Sequence, residues 1–427
     1  MAGLYGLHMT SPYVRMSAMK RQLRVPYALS VHGGKEIDAV VRVLKGNTAN
    51  ARYTKGFEQH IARLFGKKYG IMVNSGSSAN LLAFEIARLP KGAEVITPAL
   101  TFATTVTPMI QKGLTPVFVD VDPRTYVVTP KAVERAITKR TKAIMIPSLI
   151  GNLPDFVALH RLAQKHNLIF IEDSCDTLGA KFRGKPTGSY SDISTTSFYG
   201  SHIINAAGGG GLIAVNNNEW KERLLVFRGW GRSSSRMGEA GASEHIGKRF
   251  TAKVDGIAYD TKFMFTEIGY NFLPLEVSAA FGLVQLEKLA VFRAKRKRNF
   301  KRLTKFFTQY GKYFVLPREL PGTDTAWLAF PITIKKSAPF DRQTLATALE
   351  KRGIQTRPIF TGNILRQSAF RAVHAQRGGR YPVADDIMRG GMLLGCHQGL
   401  TNAQLTYMEE EIRLFIETTT AYGKRKA

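Results

Sequence analysis

Cysteine is almost absent from this chain of 427 residues, and its two copies, Cys175 and Cys396, exclude both a disulfide framework and a four-thiolate metal site. A reducing, cytoplasmic setting is the expectation that follows. No stretch reaches the roughly 18 to 20 apolar residues that a membrane span needs, so no membrane partner is expected. The opening stretch, Met1 to Arg24, is basic but has no apolar block or small-residue cleavage site, which argues against a secretory signal. Internal repeats are missing too. Acidic residues are scarce: 32 stand against 61 lysines and arginines, a formal charge of +29. Such a balance favours anionic ligands, from polyanions to pyrophosphate-bearing substrates. The densest cationic runs are Arg293–Lys301 and the tail Lys424–Lys426. The first falls inside an apolar-periodic helix and reads as an exposed helix face. No motif with interleaved aromatics accompanies it, so a nucleic-acid partner is not expected.

What is present is a large apolar fraction, 44%, with 22% charged residues, which supports a sizeable folded core. Short apolar runs at Tyr69–Val73, Glu94–Thr97, Pro116–Val121, Ala143–Pro147, Leu168–Glu172, Ile193–Phe198 and Gly211–Val215 read as seven buried strands. Helical patterns at Ala79–Ala87, Thr104–Lys112, Pro130–Thr138 and Asp155–His166 separate them. This alternation predicts an α/β domain with a mainly parallel sheet, whose ligands bind beyond the carboxyl ends of the strands. One helical stretch is expected from Glu276 to about Tyr310. A smaller C-terminal α/β domain follows, from strand-like Trp327–Ile334 to a closing helix at Asn402–Ala421. Residues 1–32 read as a basic extension, 33–290 as the large domain and 291–427 as the small one. Ser233–Asp260 is Gly- and Ser-rich and aperiodic, and reads as a long functional loop.

Three motifs carry chemistry. Asn74-Ser75-Gly76-Ser77-Ser78-Ala79-Asn80 follows a strand and opens a helix, where small residues and unpaired N–H groups suit a phosphate. Ile169-Phe170-Ile171-Glu172-Asp173-Ser174-Cys175-Asp176 is an apolar strand ending in acids; its aspartate can hold a protonated pyridine nitrogen or cap the next turn. Ser197-Phe198-Tyr199-Gly200-Ser201-His202 precedes the glycine run Gly208-Gly209-Gly210-Gly211.

In order and spacing these motifs resemble the DegT/DnrJ/EryC1/StrS family of fold type I sugar aminotransferases, and most closely its sugar-nucleotide 3-dehydratase branch. The likeness extends through Gly229-Trp230-Gly231-Arg232, Gly247-Lys248-Arg249-Phe250, Gly269-Tyr270-Asn271, Thr356-Arg357 and Gly362-Asn363 to Gln367. The resemblance implies pyridoxal 5'-phosphate, or its amine form pyridoxamine 5'-phosphate, as cofactor. Gly76, Ser77 and Ser197 would hold its phosphate, and Phe102 would stack on its ring. Asp173 would pair with the ring nitrogen, and Asp176 would lie near the ring hydroxyl. Asn271 would reach the phosphate of a neighbouring subunit, since family sites form in a homodimer. Arg357, Asn363, Arg366 and Gln367 would line the sugar-nucleotide site.

His202 stands where the family's aminotransferases have lysine. Imidazole cannot bond covalently to the cofactor's aldehyde, but it is a competent general base. The resemblance therefore implies a dehydratase that removes the C3 hydroxyl of a nucleotide-linked 4-keto-6-deoxyhexose, as in deoxysugar and lipopolysaccharide biosynthesis. An amino donor such as glutamate would regenerate the amine cofactor. Relatives that hold an iron–sulfur cluster use four cysteines; this chain keeps only Cys175 of them, so no cluster is expected. The alternatives are an ordinary sugar aminotransferase and a basic scaffold that has lost catalysis. The first needs a lysine at the ring, and none lies between Lys185 and Lys221. Two departures from the family pattern are Ala207-Gly208-Gly209-Gly210 in the glycine run and Gly200 in place of a proline.

Overall fold

The computed structural model describes residues 23–49, 52–237, 246–373 and 379–426. Most of the basic N-terminal stretch and the side chains of the Lys424–Lys426 tail lie outside the described residues. Seven strands form the central sheet: β1 (Tyr69–Val73), β2 (Glu94–Pro98), β3 (Thr115–Val119), β4 (Thr141–Pro147), β5 (Ile169–Asp173), β6 (Ile193–Ser197) and β7 (Gly211–Val215). Their spatial order is β1-β7-β6-β5-β4-β2-β3. Every pairing from β6 to β3 is parallel, while β7 runs antiparallel to both β1 and β6. The sheet is mainly parallel, as its sequence pattern predicts. Both its faces are covered, which explains why β2 and β7 are buried at every residue.

Helices α1 (Gly34–Leu44), α2 (Arg52–Phe65), α3 (Gly76–Ala87), α4 (Ala103–Gln111), α5 (Pro130–Ala136), α6 (Phe156–Lys165) and α7 (Asn218–Arg228) flank this sheet. Several begin with side chains that the sequence supplies for the purpose. Ser75 accepts from the Ser78 N–H, Thr129 from Ala132 with Pro130 in the first turn, and Asp155 from Ala158. One apolar layer packs Ile71, Val73, Leu82, Val95, Met145, Ile171 and Ile213 on one face. The layer on the other face is larger and continues without a break into the C-terminal lobe, joining Ile96, Ile144 and Phe170 to Phe307, Trp327, Phe330 and Leu394.

Two regions differ from their sequence expectation. Ser233–Asp260 is not one aperiodic loop: it contains a 3-10 turn at Ser233–Met237, the short helix α8 (Ile246–Arg249) and a hairpin of β8 (Ala252–Val254) and β9 (Ile257–Tyr259). The hairpin turns at Asp255-Gly256, both at positive φ, a dipeptide suited to such a turn. The stretch after Glu276 is two helices, α9 (Glu276–Glu287) and α10 (Leu289–Thr308). They meet at Lys288, whose ammonium is paired to the buried Glu36 carboxylate. The C-terminal lobe is an antiparallel sheet of β10 (Phe314–Val315), β11 (Phe330–Ile334), β12 (Thr356–Pro358) and β13 (Gly391–Leu394), in the order β10-β11-β13-β12. Helices α11 (Arg342–Lys351), α12 (Pro382–Gly390) and α13 (Asn402–Lys426) complete it.

The cationic run on α10 divides by burial. Arg296 is 1% exposed, and Arg293 and Lys297 pair with Asp324. Lys295, Arg298 and Lys301 form the exposed face that the sequence suggests.

One contact ties the start of β7 to the first motif. Ser75 bridges Gly210, and a Cβ added at Gly211 would stand 2.2 Å from the Ser75 carbonyl oxygen. Only a hydrogen fits there. Gly211→Ala must push the two backbones apart, and is expected to cost about 3 kcal/mol or more, read as a lower urea midpoint in equilibrium unfolding.

Candidate active site

The motifs converge on one cavity of about 880 Å³ at the carboxyl ends of the central strands. Gly76, Ser77, Phe102, Asp173, Asp176, Ser197, His202, Arg357 and Gln367 all line it. At one wall α3 begins. The first turn of a helix has N–H groups without intrahelical acceptors, and those of Gly76 and Ser77 therefore face the opening. The cradle is narrow: a Cβ at Gly76 would meet Ser197 Cβ at 2.7 Å and Cys175 Sγ at 2.9 Å. Ser77 is exposed there, and the Ser197 hydroxyl accepts from the Tyr199 N–H at 3.3 Å. An anion is the ligand this wall suits.

Asp173 ends β5 and is 6% exposed. Its Oδ2 accepts from Asn80 Nδ2 at 2.9 Å and from Thr105 Oγ1 at 2.8 Å, and its Oδ1 from the Cys175 N–H at 3.2 Å. Three donors fix the orientation of this carboxyl group, whose oxygens can still accept from a cationic N–H. Phe102, just before α4, is half exposed and meets Phe360 edge-on with ring centroids 6.1 Å apart. Its open face is available to a flat ring. An anion cradle, an anchored carboxylate and an aromatic face in one cavity fit a phosphorylated pyridine.

His202 follows β6 in a turn and is largely buried, with 14% of its side chain exposed. Its Nδ1 lies 3.1 Å from the Ser197 carbonyl oxygen. A carbonyl can only accept, so Nδ1 carries the hydrogen and Nε2 carries the lone pair. Burial pushes the imidazole down to about 4, and the buried Arg296 cation adds to this, against the opposing pull of the Ser197 carbonyl and Asp173. Asp176 is pushed up to about 7, chiefly by burial, although the Ile150 N–H bonded to it at 2.8 Å works the other way. His202 Nε2 and Asp176 Oδ1 are 3.9 Å apart, too long for a hydrogen bond. Burial thus works against charge on both groups. The His202 loop is also braced from below. Arg296 on α10 donates to Gln398 at 2.7 Å, and Gln398 donates to the Ile203 carbonyl at 3.2 Å.

The remaining sequence-derived residues lie elsewhere. Asn363 and Arg366 do not line this cavity. Both bond to Asp385, Arg366 through two parallel contacts of 2.5 and 2.6 Å, and they border a second cavity of about 540 Å³ with Arg371 and Arg380. Asn271 is exposed and bridges Gly229, next to Phe272, whose carbonyl accepts from the Asn74 N–H. Sequence reasoning missed Tyr27, Gln355 and Thr361, which line the main cavity. Tyr27 sits in the segment read as a basic extension, where no periodicity or motif marks it. Asn80 and Thr105 were legible only as helix residues; their role in holding Asp173 needs the fold.

A family model described as the DegT/DnrJ/EryC1/StrS aminotransferase family matches residues 31–413. The lipopolysaccharide biosynthesis protein RfbH of Salmonella typhimurium is 37% identical over 402 residues, covering 92% of this chain and 91% of that protein. A GDP-4-keto-6-deoxy-D-mannose 3-dehydratase of Yersinia pseudotuberculosis is 33% identical, covering 89% and 95%. The solved structure of the E. coli GDP-4-keto-6-deoxy-D-mannose-3-dehydratase with bound hydrated PLP superimposes with a TM-score of 0.81 at 30% identity, over 91% of this chain and all of that one. With the family model spanning most of its length, and with an anion cradle, buried aspartate and histidine turn assembled in one cavity, the chain belongs to the DegT/DnrJ/EryC1/StrS aminotransferase family.

Proposed function

We propose that the protein is a 3-dehydratase acting on a nucleotide-linked 4-keto-6-deoxyhexose, with pyridoxal phosphate or pyridoxamine phosphate as cofactor and His202 as its base. The observation that carries this reading is that, among the described residues, no lysine lines the cavity, while His202 Nε2 holds a free lone pair inside it. When bound, the cofactor supplies an electron sink through its protonated pyridine ring. Gly76, Ser77 and Ser197 bind its phosphate, Phe102 covers its ring, and Asp173 accepts the ring N–H. His202 takes a proton at Nε2 and is then the group able to return one to the departing hydroxyl. Arg357 lines the same cavity and supplies a cation for the substrate's diphosphate. An amino donor such as glutamate would supply the nitrogen for the cofactor's amine form. Two cysteines, Cys175 half-buried at the cavity and Cys396 buried, are too few to hold an iron–sulfur cluster.

A homodimer is part of the same proposal. The extension between α7 and α9 exposes Phe250, Ile257, Phe263, Phe265 and Leu275, and Ile268 is 95% exposed. A face this apolar on a protein in water calls for a cover, and a second copy bringing Asn271 to its neighbour's cofactor phosphate fits it.

Protein incubated with pyridoxal phosphate and glutamate, then with a CDP- or GDP-linked 4-keto-6-deoxyhexose, releases ammonia and a 3-deoxy sugar; a stable 4-amino sugar instead would make it an aminotransferase, and no cofactor uptake would leave a scaffold. His202→Asn lowers the dehydration rate by about 10²- to 10⁴-fold, whereas His202→Lys gains a borohydride-fixable bond to pyridoxal phosphate, seen as a mass increment. In the cofactor-free protein, the His202 ring titrates by carbon-13 NMR near pH 4 rather than at 6.5. Its unfolded pKa is the higher one, so its contribution to stability is complete above about 6.5 and is lost as the pH falls toward about 4. Ile268→Lys with Phe265→Lys shifts the protein toward monomer in light scattering and weakens cofactor retention.

A further inference from the structure

Residues Arg24 to Val31 cross from the C-terminal lobe to the His202 turn, and are held almost entirely through their backbone. Val25 donates to the Gly353 carbonyl at 2.8 Å and accepts from the Gln355 N–H at 2.9 Å. His397 Nε2 lies 3.0 Å from the Pro26 carbonyl, and Gln404 donates to the Arg24 carbonyl at 2.8 Å. Gly395 admits the strap: a Cβ there would stand 2.6 Å from the Pro26 carbonyl oxygen. Further along, Gln285 donates to the Val31 carbonyl at 2.9 Å, and Asn205, three residues beyond His202, donates to Ser30 Oγ at 3.0 Å. This many ties fix the path of the strap without engaging the Tyr27 side chain.

Tyr27 points into the active-site cavity. Its N–H is satisfied by Gln355 Oε1 at 3.1 Å, and the Arg357 guanidinium rests over its ring at 5.5 Å from the centroid. Among the described residues neither the Tyr27 hydroxyl nor the Gln355 amide nitrogen has a hydrogen-bond partner. A largely enclosed phenol ordinarily finds one, because a desolvated hydroxyl without a partner is destabilising. Burial pushes this phenol up, with Asp176 adding to the effect, so it remains a proton donor at every working pH. Tyr27 lines the same cavity as Asp176 and His202, the groups at its reacting end.

We propose that Tyr27 is a specificity residue that donates a hydrogen bond to an oxygen of the hexose, with its ring bracing Arg357 against the adjoining diphosphate. This rests on the sugar-nucleotide reading above. The ligand class is a nucleoside diphosphate hexose, and Gln355 offers a second donor to the same ring.

The test is calorimetric titration of the pyridoxal-phosphate-loaded protein with GDP-, CDP- and dTDP-linked 6-deoxyhexoses, and with the matching nucleoside diphosphates. Tyr27→Phe keeps the ring under Arg357 and all the backbone ties. It is expected to weaken the sugar nucleotide that the wild type binds by about five- to tenfold, the size of one neutral hydrogen bond, and to leave the nucleoside diphosphate unchanged. Equal affinity of both proteins for the sugar nucleotide overturns the role of Tyr27 alone. An equal loss for the nucleoside diphosphate also overturns it, since the residue would then read the nucleotide or merely shape the pocket. A wild type that binds no sugar nucleotide overturns the functional reading and this proposal together.

Discussion

A carbonyl oxygen offers lone pairs and nothing else, and the one at Ser197 sits against His202 Nδ1. That single contact settles which nitrogen is protonated and leaves Nε2 bare within a cavity that no lysine lines among the described residues. Much of the surrounding structure serves to keep it so. Ser197 ends a strand, and the turn that returns His202 to its carbonyl is held from Gln398 and, behind that, by the buried guanidinium of Arg296. Burial does the electrostatic work: it denies the imidazole the hydration that a positive charge would need.

How much of this could be read beforehand varies with the physics involved. The seven central strands were legible because a sheet covered on both faces needs unbroken apolar runs, and sequences such as Gly211–Val215 supply them. The strand Gly391–Leu394 was not, since four residues give no period to detect. Ser233–Asp260 was misjudged for a different reason. Its hairpin has no inward face, with every residue of Ile257–Tyr259 exposed, so the alternation that betrays a strand is missing. At the site, residues in strand–turn–helix motifs were found from sequence, whereas those whose role depends on distant pairing were hidden. Thr105 holds an aspartate 68 positions away, and Tyr27 is bonded to a residue 328 positions away. Asn363 and Arg366 illustrate the reverse case: their residue types suit a substrate, yet Asp385 engages both.

The excess of positive charge has more than one destination. Part is spent inside, on Arg296 and on Arg228, which bonds Glu58 and the Met72 carbonyl. Part lines cavities, as Arg357 and Arg371 do. The rest covers helix faces such as that of α10, where exposed cations at Lys295, Arg298 and Lys301 stand in water. An enzyme whose substrate carries a diphosphate gains from such a field in the rate of encounter, and that gain shrinks as salt rises.

The apolar layer that runs from the central strands into the C-terminal lobe sets how the enzyme can breathe. Ile146 and Phe170 share one dry interior with Trp327 and Phe330, so parting the lobes would flood a core instead of swinging a hinge. A rearrangement confined to the mouth of the cavity would admit a ligand and leave that shared interior, and the scaffold beneath the site, intact.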